Sequence, residues 1–174
     1  MTMRIGVSWL CVAGLAALAV VGPAAAADLT GPLRVIDGDT VELQGQTVRL
    51  HGIDAPELGQ NCRIKARLYD CGNVSRTALL DLTAGARVTC DLLAGAAPPA
   101  DGDGRPGRCF ADGYDLSEGM AHTGWALADR AVSARYVRNE ARAKDANRGL
   151  WKGRFVTPWN WRRGERLPAE HGTE

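Results

Sequence analysis

The sequence has no surplus of positive charge. Its 21 Lys and Arg stand against 20 Asp and Glu. Setting residues 1–27 aside removes Arg4 and no acid, which leaves 20 against 20. A domain that wraps nucleic acid by charge alone is strongly basic, so that class is excluded. Any phosphate recognition then falls to a few placed arginines and a metal ion. The chain also has no CxxC pair, which sets aside a structural zinc site. It has no internal repeat, which sets aside a solenoid.

What is present begins with a leader. Met1-Thr2-Met3-Arg4 gives a short positive start, residues 5–21 are almost wholly apolar, and Ala24 to Ala27 are small. That order reads as a secretory signal peptide over 1–27, not a membrane span, with cleavage near Ala27 or Asp28. The remaining 147 residues suffice for one domain with its own core. The expected address is a periplasm or the exterior. Cys11 leaves with the leader, and Cys62, Cys71, Cys90 and Cys109 stay. An even count in an oxidising compartment points to disulfides, and four cysteines allow about three pairings. The preferred set is Cys62–Cys71, closing a short loop, and Cys90–Cys109, joining two predicted strands.

The chemistry is concentrated in two short blocks. Val35-Ile36 leads into Asp37-Gly38-Asp39, and Val41 and Leu43 follow on alternating positions. Gln44-Gly45-Gln46 is a turn signal, and Val48 and Leu50 open the next run, which ends in Asp54-Ala55-Pro56-Glu57. The resulting hairpin brings the Asp39 end of one strand near the Asp54 end of the other, with Arg49 behind them. Carboxylates crowd together only where something cationic separates them. A hard divalent ion takes oxygen ligands, so calcium is the candidate.

The rest of the chain reads as scaffold. Residues 58–69 are polar and irregular. A helix starts at Asn73 or Ser75 and runs to about Thr83, with Val74, Ala78, Leu79 and Leu82 on one face. A strand over 87–93 alternates Val88, Cys90 and Leu92, and a Gly/Pro/Ala-rich loop follows over 94–107. Within it, Asp101-Gly102-Asp103-Gly104 resembles half a calcium loop, but no Glu sits at the EF-hand spacing, so it is read as a flexible turn. Asp112-Gly113 signals a second hairpin, and Asp115 can cap a helix with Leu116, Met120 and Ala121 inward, ending at Gly124. A last helix runs from Ser133 or Arg135 to Asn147, with Tyr136, Val137 and Ala141 on a mixed face. The tail mixes Trp159 and Trp161 with Arg162 and Arg163. It can stack bases or pin the C-terminus to the domain, and the second reading is adopted. Together these elements suit an α+β domain built on a small barrel of about five strands.

The two acidic blocks at this spacing, with Arg49 between them, resemble the signature of the staphylococcal nuclease (thermonuclease) family over 33–151. The resemblance implies a five-stranded OB-fold barrel with about three packed helices over 28–151, followed by the Trp/Arg-rich tail over 152–174. It implies Asp39 and Asp54 as calcium ligands, with the Ala55 carbonyl as a further ligand and Asp37 in support. Glu57 becomes the general base, and Arg49 and Arg105 the phosphate clamp. Gly104-Arg105 matches the family's Gly-Arg step, but the segment after it is one residue short, so Arg108 is the alternative clamp. The implied activity is calcium-dependent hydrolysis of DNA and RNA, preferring single strands and leaving 3′-phosphorylated products, by a monomer. No base code is expected, because phosphate contacts position without specifying sequence. Asp103 and Asp129 stand where the family has basic or aromatic residues, and like-charge repulsion there weakens binding of nucleotide ends. These departures also keep open a second reading, a nucleic-acid-binding OB module without turnover.

Overall fold

A computed structural model of the protein describes residues 28–96 and 104–168. The expected leader over 1–27 and Asp101, Gly102 and Asp103 lie outside the described residues. In chain order the strands are β1 (Asp28–Thr30), β2 (Leu33–Val35), β3 (Thr40–Leu43), β4 (Gln46–Leu50), β5 (Ile53–Asp54), β6 (Asn61–Ile64) and β7 (Arg67–Asp70). Helix α1 (Cys71–Thr83) follows, then β8 (Val88–Leu92), β9 (Arg105–Ala111), β10 (Tyr114–Asp115) and α2 (Leu116–Thr123). The chain closes with β11 (Leu127–Ala128), α3 (Val137–Asp145), a 3-10 turn (Gly149–Lys152) and α4 (Pro158–Arg162).

The hairpin expected from the alternation is present. β3 and β4 pair antiparallel, with Thr40 opposite Arg49 and Leu43 opposite Gln46. The connection turns through left-handed Gln44 and Gly45, at φ 53° and 72°, the backbone that two-residue hairpins need. The main sheet runs β1-β8-β9-β4-β3-β2, with β10 on β9. Its one parallel junction, β4 against β9, sets Val48 opposite Arg105 and Leu50 opposite Gly107. The result is a mixed α+β domain with a curled half-barrel sheet, compatible with an OB-like fold. Val41, Leu43, Val48, Leu50, Leu79, Leu92, Leu116 and Met120 are all buried to within 2% exposure in one core. Each such side chain contributes roughly 1.5–3 kcal/mol by leaving water.

Several expectations need correction. There are eleven short strands among the described residues, not five. The polar segment over 58–69 is not irregular; it holds most of the β6–β7 hairpin, with Asn61 opposite Asp70. Its pattern hid it because Leu68 points to solvent while Arg63 is buried. Helix α1 starts earlier than expected, at Cys71, capped by the Asp70 carboxylate, which accepts from the Asn73 amide at 2.9 Å. Its inward stripe is Cys71, Ser75 and Leu79, so Val74 is exposed. The Cys62–Cys71 disulfide ties that first turn to β6 and so sets the rotation of the helix. In α3, which begins at Val137, Glu140 and Ala143 face inward and Ala141 is exposed. Other expectations match: Asp115 caps α2 through the Glu118 amide at 3.1 Å, and Gly124, at φ 77°, ends it. Both preferred disulfides are formed, Cys90 and Cys109 lying directly opposite each other on β8 and β9. No helix of the described residues is long and apolar enough to cross a membrane.

Candidate active site

The acids stand on the turn before β3 and on the segment from β5 to Glu57, and both segments rest on the N-terminal part of α1. A Cβ on Gly72 would stand 1.9 Å from the Glu57 carbonyl oxygen. A Cβ on Gly38 would stand 2.1 Å from Ser75 Oγ and 2.7 Å from Ala55 Cβ. Neither position has room for a side chain. The Asp37-Gly38-Asp39 turn is closed by the Asp37 side chain, whose Oδ1 accepts from the Asp39 amide at 3.0 Å. The Leu50 amide donates to the Asp39 carbonyl at 2.7 Å and fixes this turn to β4.

The structure brings Asp39, Arg49, Asp54 and Ala55 together. Asp39 and Asp54 are both buried, at 2% and 3% exposure. Asp39 Oδ1 accepts from Arg49 Nε at 2.9 Å and from the Thr40 hydroxyl at 3.0 Å, and Oδ2 accepts from the Ala55 amide at 2.6 Å. Arg49 Nη2 reaches Asp54 Oδ1 at 3.0 Å. The guanidinium thus bridges the two carboxylates expected to hold a cation.

Glu57 is joined to this group by a residue that sequence reasoning left in the tail. Arg162, at the end of α4, forks onto Asp54, with Nη1 to Oδ1 at 2.9 Å and Nη2 to Oδ2 at 2.7 Å. The same Nη1 donates to Glu57 Oε1. The tail is held in place upstream of α4. The Arg63 and Arg154 backbones exchange two hydrogen bonds, at 2.9 and 2.8 Å. Buried Gln60 donates its side-chain amide to the Val156 carbonyl at 2.7 Å and accepts from the Glu57 amide at 3.2 Å. Phe155 and Trp159 pack on the cluster of Cys62, Cys71, Leu127 and Leu150. Phe155 and Trp159 therefore pin the tail, whereas Trp161 meets Arg166 of the tail itself, and the pinning delivers an arginine. The available signal was the cation pair Arg162-Arg163 directly after two tryptophans, which does not by itself say where it docks.

The other predicted residues sit apart. Arg105 donates to Gln46 Oε1 at 3.4 Å on the exposed start of β9. Strand alternation puts Arg105 in phase with Val48, whereas Arg49 is in phase with Pro106 and Arg108. Arg108, with a buried Nε that has no hydrogen-bond partner, thus shares the Arg49 face of the sheet. Asp129 Oδ1 accepts from the Ala131 amide at 3.0 Å, within its own turn. The His51 imidazole is held below its ordinary pKa by burial and by the Arg108 charge, against the opposite pull of Asp129.

The charges do not balance within this group. Asp37, Asp39, Asp54 and Glu57 carry four formal negative charges, and Arg49 and Arg162 carry two positive ones. The deficit equals the charge of one divalent cation. Burial drives the Asp39 carboxyl well above the usual carboxylate range; Arg49 opposes this, and Asp37 and Asp54 add to it. Burial also raises Glu57, against the hydrogen bond and charge of Arg162. Hydrogen bonding to Asp54 raises Arg162 further above its ordinary value. Among the described residues no three His, Cys, Asp or Glu side chains stand together as a ready-made metal cluster. The donor chemistry still fits calcium, since two hard carboxylates and a loop carbonyl suit an ion that fills its shell with water and phosphate oxygens.

Comparison with known proteins gives related chains. ExoI, a succinoglycan biosynthesis protein of Rhizobium meliloti (strain 1021), is 36% identical over 143 residues, covering 79% of this chain and 73% of that protein. Protein ParB of Escherichia coli is 32% identical over 179 residues, covering 92% of this chain and 93% of its own. The probable staphylococcal-like nuclease CAN2 of Oryza sativa subsp. japonica is 33% identical over 132 residues, covering 74% of this chain but only 32% of its own length. No protein-family model matches the chain.

Proposed function

The chain belongs to one family with ExoI and ParB and is similar over most of its length to staphylococcal-like nucleases; from that premise we propose that it is an exported, calcium-dependent nuclease. The observation that carries the reading is the convergence of Asp39, Arg49, Asp54 and Glu57 in one ion-paired cluster. Asp39, Asp54 and the Ala55 carbonyl would hold the ion. When bound, the ion polarises a phosphodiester oxygen as a Lewis acid. Glu57, half-buried and raised in pKa, orients a water and takes its proton. Arg49 sets a guanidinium beside both ligands, where an arriving phosphate meets a planar cation. DNA and RNA are both substrates on this reading, because every group described addresses the phosphate and none a base edge; the preference for single strands is what the family resemblance implies. The two disulfides suit an oxidising compartment.

The test is cleavage of denatured DNA by wild type and Glu57→Gln with calcium and with chelator. Wild type cuts only with calcium, and Glu57→Gln loses about 100-fold or more in rate. Undiminished cleavage by Glu57→Gln removes the assigned base. Single-strand binding without cleavage at any calcium concentration replaces the enzyme with the non-catalytic binding module.

A further inference from the structure

We propose that Arg162 is a phosphate-binding residue that neutralises Asp54 and Glu57 until a cation and a substrate phosphate arrive together. This rests on the nuclease reading and adds to it a residue from the C-terminal helix.

The argument begins with what Arg162 occupies. Its fork covers both oxygens of Asp54, an expected cation ligand, and the same guanidinium holds Glu57, the expected base. A cation on Asp54 competes for the same lone pairs and repels the guanidinium, so the two cannot both keep their full set of contacts. A guanidinium that leaves a carboxylate is matched by phosphate, which presents the same bidentate geometry. Arg162 is also the more exposed of the two arginines. Its side chain is 24% exposed, against 10% for Arg49, which is bound to both Asp39 and Asp54. The helix that carries it is only five residues long, and it is anchored upstream at Arg154, Val156 and Trp159 and downstream at Pro168, whose carbonyl accepts from Arg63. The anchors keep Arg162 at the site while its side chain exchanges partners. Arg105, bound to Gln46 on the exposed start of β9, has no comparable position.

A residue that merely braced the tail would, on removal, weaken everything the site binds. A place-holding phosphate ligand gives opposite signs. The probes are calcium alone, followed by calorimetry, and a nucleoside 3′,5′-bisphosphate in the presence of calcium, with melting curves to confirm folding. Arg162→Gln is expected to bind calcium about tenfold more tightly, through lost competition and repulsion. It is expected to bind the bisphosphate at least about tenfold more weakly, through the lost fork. Arg162→Lys keeps the charge without the fork, so calcium affinity stays within about threefold of wild type while bisphosphate affinity falls. If Arg162→Gln does not fold, Arg162→Lys carries the test alone. Loss of both affinities together in Arg162→Gln, or wild-type bisphosphate binding in Arg162→Lys, overturns the proposal. A wild-type protein that cuts with calcium while the Arg162 variants behave normally refutes only this assignment. A wild-type protein that neither binds calcium nor cuts refutes the nuclease reading and this inference with it.

Discussion

Replacing Gln60 with leucine tests the link between the Glu57 loop and the tail. Gln60 is fully buried, and its side chain joins segments 96 positions apart in sequence. Its Nε2 satisfies the Val156 carbonyl and its Oε1 satisfies the Glu57 amide. Leucine keeps most of the volume and removes both bonds. Each buried backbone group left without a partner costs about 1–3 kcal/mol. The added apolar surface offsets part of that, roughly 1 kcal/mol. The net expected loss is about 1–5 kcal/mol, or about 3–20 °C in Tm for a chain of this size. Thermal and urea unfolding of the oxidised protein measure it. Native-state hydrogen exchange adds a local readout, because amides near 154–162 should exchange faster than those of β8 and β9. Cleavage should fall too, since Glu57 and Arg162 both lose a support. A loss below about 1 kcal/mol with unchanged exchange in the tail would falsify the account, because two buried groups cannot lose their partners that cheaply.

Other outcomes follow from the same geometry. Burial and Asp115 keep the Tyr136 hydroxyl protonated to about 12, above the ordinary value of 10.0. Its contribution to stability is therefore complete below pH 10 and lost as pH rises toward 12, so the urea midpoint should fall more steeply from pH 9 to 11 in wild type than in Tyr136→Phe. Gly72→Ala should cut activity at least about tenfold with a smaller effect on Kd for single strands, because the new methyl displaces the Glu57 carbonyl that it would otherwise meet at 1.9 Å. Equal kinetics to wild type would show that Glu57 is positioned from elsewhere. Replacing Cys62 and Cys71 with serine should cost about 2–3 kcal/mol for a cross-link spanning nine positions, read as a lower urea midpoint. It should also lower activity, since the hairpin that holds the tail is released.

What the sequence determined by itself was local. The alternation of Val41, Leu43, Val48 and Leu50 about Gln44-Gly45 dictates the β3–β4 hairpin, because side chains two apart share a face and the turn fixes the register. That register sets Arg49 opposite Thr40 and so beside Asp39, whereas Asp54 stands on β5, which is held by pairing with β11. Asp115 and Gly124 likewise set the ends of α2, since cap chemistry acts over a few residues. Only the tertiary structure decided which way α1 turns, which arginine shares the Arg49 face, and that the polar segment after Glu57 forms a hairpin. It also decided that Arg162 reaches Asp54, 108 positions earlier in the chain. No periodicity encodes that contact. It follows from Trp159 and Phe155 finding an apolar seat and Gln60 finding a carbonyl, and such packing is settled by shape complementarity between distant segments, not by the pattern of either one.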